Sequence, residues 1–110
     1  MANFVEIDSV EKLDSLFAES VERPVILFKH SNSCGISAHI RYLLEEIDSD
    51  IHTVTVQLNG EVSGQIAERT GHRHQSPQVI VIRDGKSIHH ATHYSIDPKT
   101  IRQFVRSSVR

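Results

Sequence analysis

Hydrophobic and polar positions follow two spacings along this chain. Apolar residues at every second position, or in short unbroken runs, are typical of strands, and a spacing of three and four is typical of helices. The run Pro24–Phe28 has no alternation, which predicts a central strand covered on both faces. The helix predicted after Cys34 has the clearest apolar stripe, made of Ile36, Ile40, Leu43, Leu44 and Ile47. Strand and helix patterns therefore alternate from the start of the chain.

The other segments complete the element order βαβαβαββα. Further strands are predicted at Phe4–Ile7, Ile51–Leu58, Val79–Ile82 and Ser87–Thr92, and further helices after Asp8, at Val62–Thr70 and after Asp97. Asp8 with Glu11 resembles a capping box, and Asp84-Gly85 predicts a tight hairpin turn. This order predicts an α/β fold with a central mixed sheet flanked by helices. The length of 110 residues fits a single domain, 1–110.

Composition and charge exclude several classes of function. A formal net charge of -2 leaves no basic excess for neutralising phosphates, so no nucleic-acid partner is expected. The chain has no run of about 18 apolar residues, and Met1–Glu6 lacks the basic start of a signal peptide. We therefore expect a soluble cytoplasmic protein that does not bind membranes. A single cysteine excludes an internal disulfide and a Cys-x-x-Cys cycle.

Cys34 is the candidate nucleophile. It follows the central strand through a polar loop and begins a helix, whose amides and dipole favour a thiolate. Gly35 leaves room above the sulfur, and the hydroxyl of Ser37 is expected to donate a hydrogen bond to it. The alternative is a buried cysteine that acts as a small hydrophobe. The polar residues Ser31, Asn32 and Ser33 before it argue against such a core position.

Pro77 is the second marker, because it directly precedes the strand Val79–Ile82. A strand ending at a cysteine turn, then a helix, and later a proline before a hairpin strand resembles the thioredoxin-like superfamily. The resemblance implies that the Ser76–Pro77 bond is cis and that Pro77 lies against the sulfur of Cys34. It also implies that Ser76 pairs with substrate through its backbone. Gly35, Ile36 and Pro77 are expected to bind the substrate with it.

Three segments resemble the monothiol bacilliredoxins of the YtxJ type. They are Phe28-Lys29-His30-Ser31, then Cys34 with Ile36-Ser37-Ala38, and later Ser76-Pro77-Gln78. The usual motif of that family is Cys-Pro-Ile-Ser, so Gly35 stands where the motif has proline. The resemblance implies a monothiol thiol–disulfide oxidoreductase that removes bacillithiol from client proteins through Cys34, with Ser37 in place of a resolving cysteine. Bacillithiolated clients would be the partners and bacillithiol the co-substrate, with no tightly bound cofactor.

Two other functions stay open at this point. Monothiol glutaredoxins, some of which carry an iron–sulfur cluster, have a similar Cys-Gly-Phe-Ser motif. Here no Lys-Gly-Thr stretch precedes the cysteine, and Ala91–Tyr94 replaces their Gly-Gly-x-Asp turn. The second alternative is a non-catalytic thioredoxin-like module that binds peptides or senses oxidation at Cys34. Turnover of a bacillithiolated client distinguishes both from the bacilliredoxin hypothesis.

Charged and histidine residues near these segments are candidate modulators. Lys29 and His30 end the central strand and would lend positive potential to the sulfur, unless they form only a solvated strand end. His74 precedes Pro77 by three residues and would reach the rim of the site, unless it is a solvated loop residue. The clusters His72-x-His74 and His89-His90-x-x-His93 predict no metal site, because no cysteine is near them and Glu68 belongs to the preceding helix.

Overall fold

The computed structural model describes residues 1–108. Its strands are β1 (Asn3–Glu6), β2 (Val25–His30), β3 (Asp50–Thr55), β4 (Gln78–Arg83) and β5 (Lys86–Thr92), and its helices are α1 (Val10–Glu19), α2 (Gly35–Leu44), α3 (Gly60–Thr70) and α4 (Pro98–Ser107). A 3-10 turn, His93–Ser95, precedes α4. This order confirms the predicted α/β fold and its mixed sheet.

The five strands form one sheet in the order β1-β3-β2-β4-β5. Strands β1, β3 and β2 are parallel, whereas β4 and β5 run antiparallel to β2 and to each other. The carboxyl ends of the three parallel strands therefore lie at the same edge as the start of β4. We call this edge the site edge. Lys29 pairs with Gln78 across β2 and β4, so Pro77 lies beside the end of β2.

Strand β2 is buried on both faces, which explains its unbroken apolar run. Ile26 and Phe28 face the layer of α2 and α4, in one core cluster with Ile40, Leu44 and Ile101. Val25 and Leu27 face the layer of α1 and α3, in a second cluster with Leu13, Leu16 and Ile66. Each such side chain contributes about 1.5–3 kcal/mol when fully buried. Because side chains alternate along a strand, Lys29 and His30 enter opposite layers.

Turn and cap residues have well-defined geometry in three places, and the hairpin turn at Asp84-Gly85 is confirmed. Asp84 and Gly85 have φ angles of 55° and 73°, which is the geometry of a tight primed hairpin turn. Gly71 ends α3 with a left-handed φ of 76°. Asp97 caps α4 by accepting a hydrogen bond from the Lys99 amide, and Pro98 occupies the first helical turn.

Three local predictions are wrong. Helix α2 ends at Leu44, so Ile47 of the predicted stripe lies beyond it. Ser9, and not Asp8, caps α1, because its side chain accepts from the Lys12 amide while Asp8 forms an ion pair with the Lys12 side chain at 2.9 Å. Strand β3 ends at Thr55 and does not reach Leu58. The Leu58 amide bonds back to the Thr55 carbonyl at 2.9 Å, which turns the chain towards α3.

A buried arginine ties the opposite edge of the sheet together. Arg83, at the end of β4, donates one hydrogen bond to the Ser20 carbonyl after α1 and another to the Ser108 carbonyl after α4, both at 2.9 Å. These two hydrogen bonds of Arg83 do not hold the site edge. Across residues 1–108, none of the helices has the length and apolar character needed to cross a membrane.

Candidate functional site

Cys34 is the N-cap residue of α2 and has extended backbone angles. Its carbonyl accepts the first helical hydrogen bond, from the Ala38 amide at 3.1 Å, and its side chain is half-buried and free. No side chain within residues 1–108 bonds its sulfur. The thiol thus lies where the unpaired amides and the positive end of the α2 dipole are located, as predicted.

Gly35 occupies the first position of α2. A Cβ built on this glycine meets no other atom within 4 Å, so the space beside the cysteine is open. Proline is well tolerated at the first helical position because the amide there has no helical partner. The first helical position of α2 therefore suits either glycine or proline after the cysteine.

Ser37 is fully buried and bonds away from the cysteine. Its Oγ accepts from the Ser31 amide at 2.9 Å and lies 2.8 Å from Nδ1 of His30. In the described part of the chain it forms no hydrogen bond with Cys34, so the predicted donation to the sulfur is wrong. The physical reason is that a serine one turn into α2 faces the end of β2, where a backbone amide and an imidazole compete for its hydroxyl. Ser37 therefore fixes the loop between β2 and α2.

Gln57, in the turn between β3 and α3, forms hydrogen bonds with the polar loop before Cys34. The Nε2 of Gln57 donates to Ser31 Oγ at 2.7 Å and to Ser33 Oγ at 3.0 Å, and its Oε1 accepts from the Asn32 amide at 3.1 Å. Sequence analysis missed this residue, since Gln57 lay inside a predicted strand. The only usable signal was the polar Gln57 between Val56 and Leu58, directly before the Asn59-Gly60 turn.

The Ser76–Pro77 peptide bond is cis, as the resemblance implied. Pro77 is buried, and its carbonyl accepts from the His93 amide at 3.0 Å, which fixes it against the end of β5. Ser76 is half-buried at the site edge, next to the loop that leads to Cys34. The predicted packing of the Pro77 ring on the sulfur agrees with this placement and stays a prediction.

Two of the predicted modulators lie in contact. Lys29 is 1% exposed, and its Nζ lies 3.2 Å from Nδ1 of His74. The same Nδ1 lies 2.9 Å from Oγ of Ser63 in the first turn of α3. Burial lowers the pKa of Lys29 to about 8. Burial, followed by the charge of Lys29, lowers the pKa of His74 and keeps its imidazole neutral.

Four other histidines, His30, His72, His89 and His90, lie in separate environments. His30 faces the α2 layer, and burial is the main cause of its lowered pKa, followed by the charge of Arg41. His72 stacks on His90 with ring centres 3.9 Å apart, and His89 stacks on Phe104 at 4.6 Å. Among residues 1–108 no three histidine, cysteine or carboxylate side chains come together in a way that could hold a metal ion.

Solved structures with the same fold include several thioredoxins. A protein to which an oxidoreductase role and a thioredoxin fold are ascribed aligns with a TM-score of 0.80 and 27% identity, over 91% of each chain. Thioredoxin from Trypanosoma brucei brucei aligns with a TM-score of 0.74 and 22% identity, over 96% of this chain and 89% of its own. A point mutant of thioredoxin from Halobacterium salinarum NRC-1 aligns with a TM-score of 0.73 and 15% identity, over 98% of this chain and 92% of its own.

The sequence also matches a family. Residues 5–101 match the family described as monothiol bacilliredoxin BrxC. This match spans the Cys34 loop, helix α2 and the Ser76–Pro77 segment, the three parts that meet at the site edge. With the thioredoxin-like architecture, it identifies a thiol oxidoreductase. The chain is a member of the monothiol bacilliredoxin family.

Proposed function

We propose that the protein removes a low-molecular-weight thiol, bacillithiol, from client proteins through Cys34. The observation that carries this proposal is the position of Cys34, a free and half-buried thiol at the N-cap of α2, at the same end of the sheet as the start of β4. A thiolate at this position is a competent nucleophile for disulfide exchange. The family membership supports the monothiol route, and the identity of the small thiol rests on the family alone.

The reaction we propose has two exchanges. The thiolate of Cys34 attacks the small-thiol sulfur of the client's mixed disulfide, and a bond forms between these two sulfurs. The client S–S bond breaks, its electron pair stays on the client sulfur, and that thiolate takes a proton from water. A second small thiolate then attacks the adduct at its small-thiol sulfur, which releases Cys34 as thiolate and a symmetrical small-thiol disulfide.

The neighbouring residues have positioning roles in this scheme. The open space beside Gly35 leaves the sulfur approachable. Ile36 and Pro77 would line the substrate, and the backbone of Ser76 would pair with an extended substrate segment. Ser37 holds the loop through Ser31 and His30, and has no thiol that would expel the bound small thiol. The adduct on Cys34 should therefore persist until an external thiol attacks.

The decisive experiment measures turnover of a bacillithiolated client beside a glutathionylated control. Wild-type protein should release the reduced client and gain one bacillithiol mass at Cys34. Cys34→Ala should abolish both effects while keeping the far-UV circular dichroism of the folded protein. Client reduction that continues in Cys34→Ala would contradict the proposal, and equal rates with both clients would contradict the choice of bacillithiol.

A further inference from the structure

A buried lysine at the site edge has no counter-charge. Lys29 is 1% exposed, and no carboxylate within residues 1–108 lies in ion-pair range of its Nζ. Its hydrogen-bond partner is the neutral ring of His74, at 3.2 Å. A buried cation is costly unless an anion compensates it, which is why burial lowers the Lys29 pKa to about 8. An anion bound close to Lys29 and His74 would offset part of the free-energy cost of burying the Lys29 charge.

The hydrogen bonds around His74 fix which ring nitrogen faces outward. A lysine ammonium can only donate, so Nδ1 of His74 accepts from Lys29 and from the Ser63 hydroxyl. The ring proton is therefore on Nε2. In the described part of the chain Nε2 has no hydrogen-bond partner, and His74 is an exposed residue. The cluster presents one N–H donor to solvent with a buried positive charge behind it.

This donor lies at the same edge as the reactive segments. Lys29 is the next-to-last residue of β2, the strand that leads to Cys34, and it pairs with Gln78, which follows Pro77. Ser63 belongs to the first turn of α3, which begins at the same edge after β3. His74 itself precedes the cis bond at Ser76–Pro77 by two residues. Because Cys34 follows β2 at this edge, we expect the rest of a small molecule joined to its sulfur to lie within reach of His74.

We propose that Lys29 and His74 select a carboxylate-bearing small thiol, whose carboxylate accepts the Nε2–H of His74. This inference rests on the proposed function and names the residues that determine the charge preference of the same site. Charge-assisted hydrogen bonds to a carboxylate contribute about twice as much as neutral ones, and the buried charge of Lys29 adds to the attraction. Ser63 and Lys29 act as positioning residues, because they reach the ligand only through His74.

The test compares three symmetrical disulfides that differ in charge. The probes are 3,3′-dithiodipropionic acid, which is anionic, bis(2-hydroxyethyl) disulfide, which is neutral, and cystamine, which is cationic. Each reacts with reduced Cys34 by one exchange, in which half of the probe joins Cys34 and the other half leaves as a thiolate. Intact-mass spectrometry follows the rate at constant pH and ionic strength, and the measured quantity is the anionic-to-neutral rate ratio.

We expect the ratio to fall about tenfold in His74→Ala, which loses one charge-assisted hydrogen bond to the probe. The ratio should also fall in Lys29→Met, which loses the charge behind His74. His74→Gln keeps an N–H donor and should retain part of the ratio. Lys86→Met is the matched control, because it removes one positive charge from an exposed residue at the far end of the β4–β5 hairpin. This control should leave the ratio as in the wild type.

The outcomes separate the two hypotheses. A wild-type protein that reacts with no probe contradicts the proposed function itself. A wild type that reacts with the neutral probe, but whose ratio is the same in His74→Ala, contradicts only the carboxylate site. If Lys29→Met does not fold, the exposed His74→Ala variant still decides the matter. An equal fall in Lys86→Met would show that net charge, and not this cluster, sets the ratio.

Discussion

The Oγ of Ser37 lies 2.8 Å from Nδ1 of His30, and this contact joins the first turn of α2 to the last residue of β2. The same oxygen accepts from the Ser31 amide at 2.9 Å. Ser37 stands where a dithiol enzyme of this fold has its second cysteine. In this protein Ser37 holds the loop between β2 and α2, and its side chain has no thiol for a redox step.

Replacing Ser37 by alanine should destabilise the protein. The substitution leaves the Ser31 amide without its buried acceptor, and an unsatisfied buried donor costs about 1–3 kcal/mol. Urea denaturation should show this loss as a lower midpoint with an unchanged slope. Ser107→Ala, on the exposed side of α4, is the matched control and should change the free energy of unfolding by less than about 0.5 kcal/mol. Equal midpoints for Ser37→Ala and wild type would contradict the supporting role.

Ser37→Cys should shorten the life of the small-thiol adduct on Cys34. The introduced thiol is held one turn from the adduct, so it attacks at high effective concentration and expels the small thiol. Intact mass after removal of excess reagent should show a stable adduct in wild type and rapid loss in the variant. Ser15→Cys, which puts an extra thiol on the exposed face of α1, controls for exchange between molecules. An adduct that survives equally in Ser37→Cys would contradict this prediction.

Gln57→Leu should slow the reaction of the Cys34 thiol and change the free energy of unfolding only slightly. Three hydrogen bonds from Gln57 hold the loop at Ser31, Asn32 and Ser33, and their loss lets the thiol sample other positions. We expect iodoacetamide or disulfide probes to react about three- to tenfold more slowly, which is the loss of roughly one hydrogen bond's free energy. Gln103→Leu on exposed α4 should react at the wild-type rate. An unchanged rate in Gln57→Leu would assign Gln57 a purely local role.

Lys29 gives a pH-dependent stability whose sign follows from its burial. Its pKa is lowered from 10.5 to about 8 in the folded protein, so the unfolded chain binds more protons between these values. Stability from this group therefore rises as the pH rises from about 8 to 10.5, and the penalty is fully present below pH 8. Lys29→Met should raise Tm at pH 7, and its advantage should shrink towards pH 10.5. A Tm difference that is the same at both pH values would contradict the lowered pKa.

Sequence patterns predicted the fold well because they are local. The unbroken run in β2, the stripe along α2, the Asp84-Gly85 turn and the Asp97-Pro98 cap depend on neighbours a few residues apart. Their boundaries shifted where a distant or competing group intervened. Ser9 displaced Asp8 as a cap because Lys12 offers Asp8 an ion pair. The exposed Leu58 was counted into β3, although the chain had already turned at Thr55.

Sequence patterns predicted which residues lie at the candidate site, but they predicted few of the hydrogen bonds among them. Cys34 at a helix start and Pro77 before a strand follow from chain order. The partners of Ser37, Gln57 and Lys29 depend on separations of 6 to 45 residues that no periodicity encodes. Lys29 was expected to act on Cys34 through its charge, yet strand alternation places it in the layer opposite α2, where it meets His74. Only the register of β2 with β4 brings these groups to one edge.

Lys29 and His30 at the end of β2 face opposite layers. The turn that carries the thiol and the contact with His74 can therefore change independently. His30 reaches into the α2 layer and fixes the turn that carries the thiol, whereas Lys29 reaches into the α3 layer and contacts His74. Within residues 1–108 the hydrogen bonds of Lys29 and His30 go to different side chains, so the free-energy effects of substitutions on the two faces should add. A lineage of such proteins could exchange residues on the α3 side to accept a different cellular thiol, while the reactive turn stayed as it is.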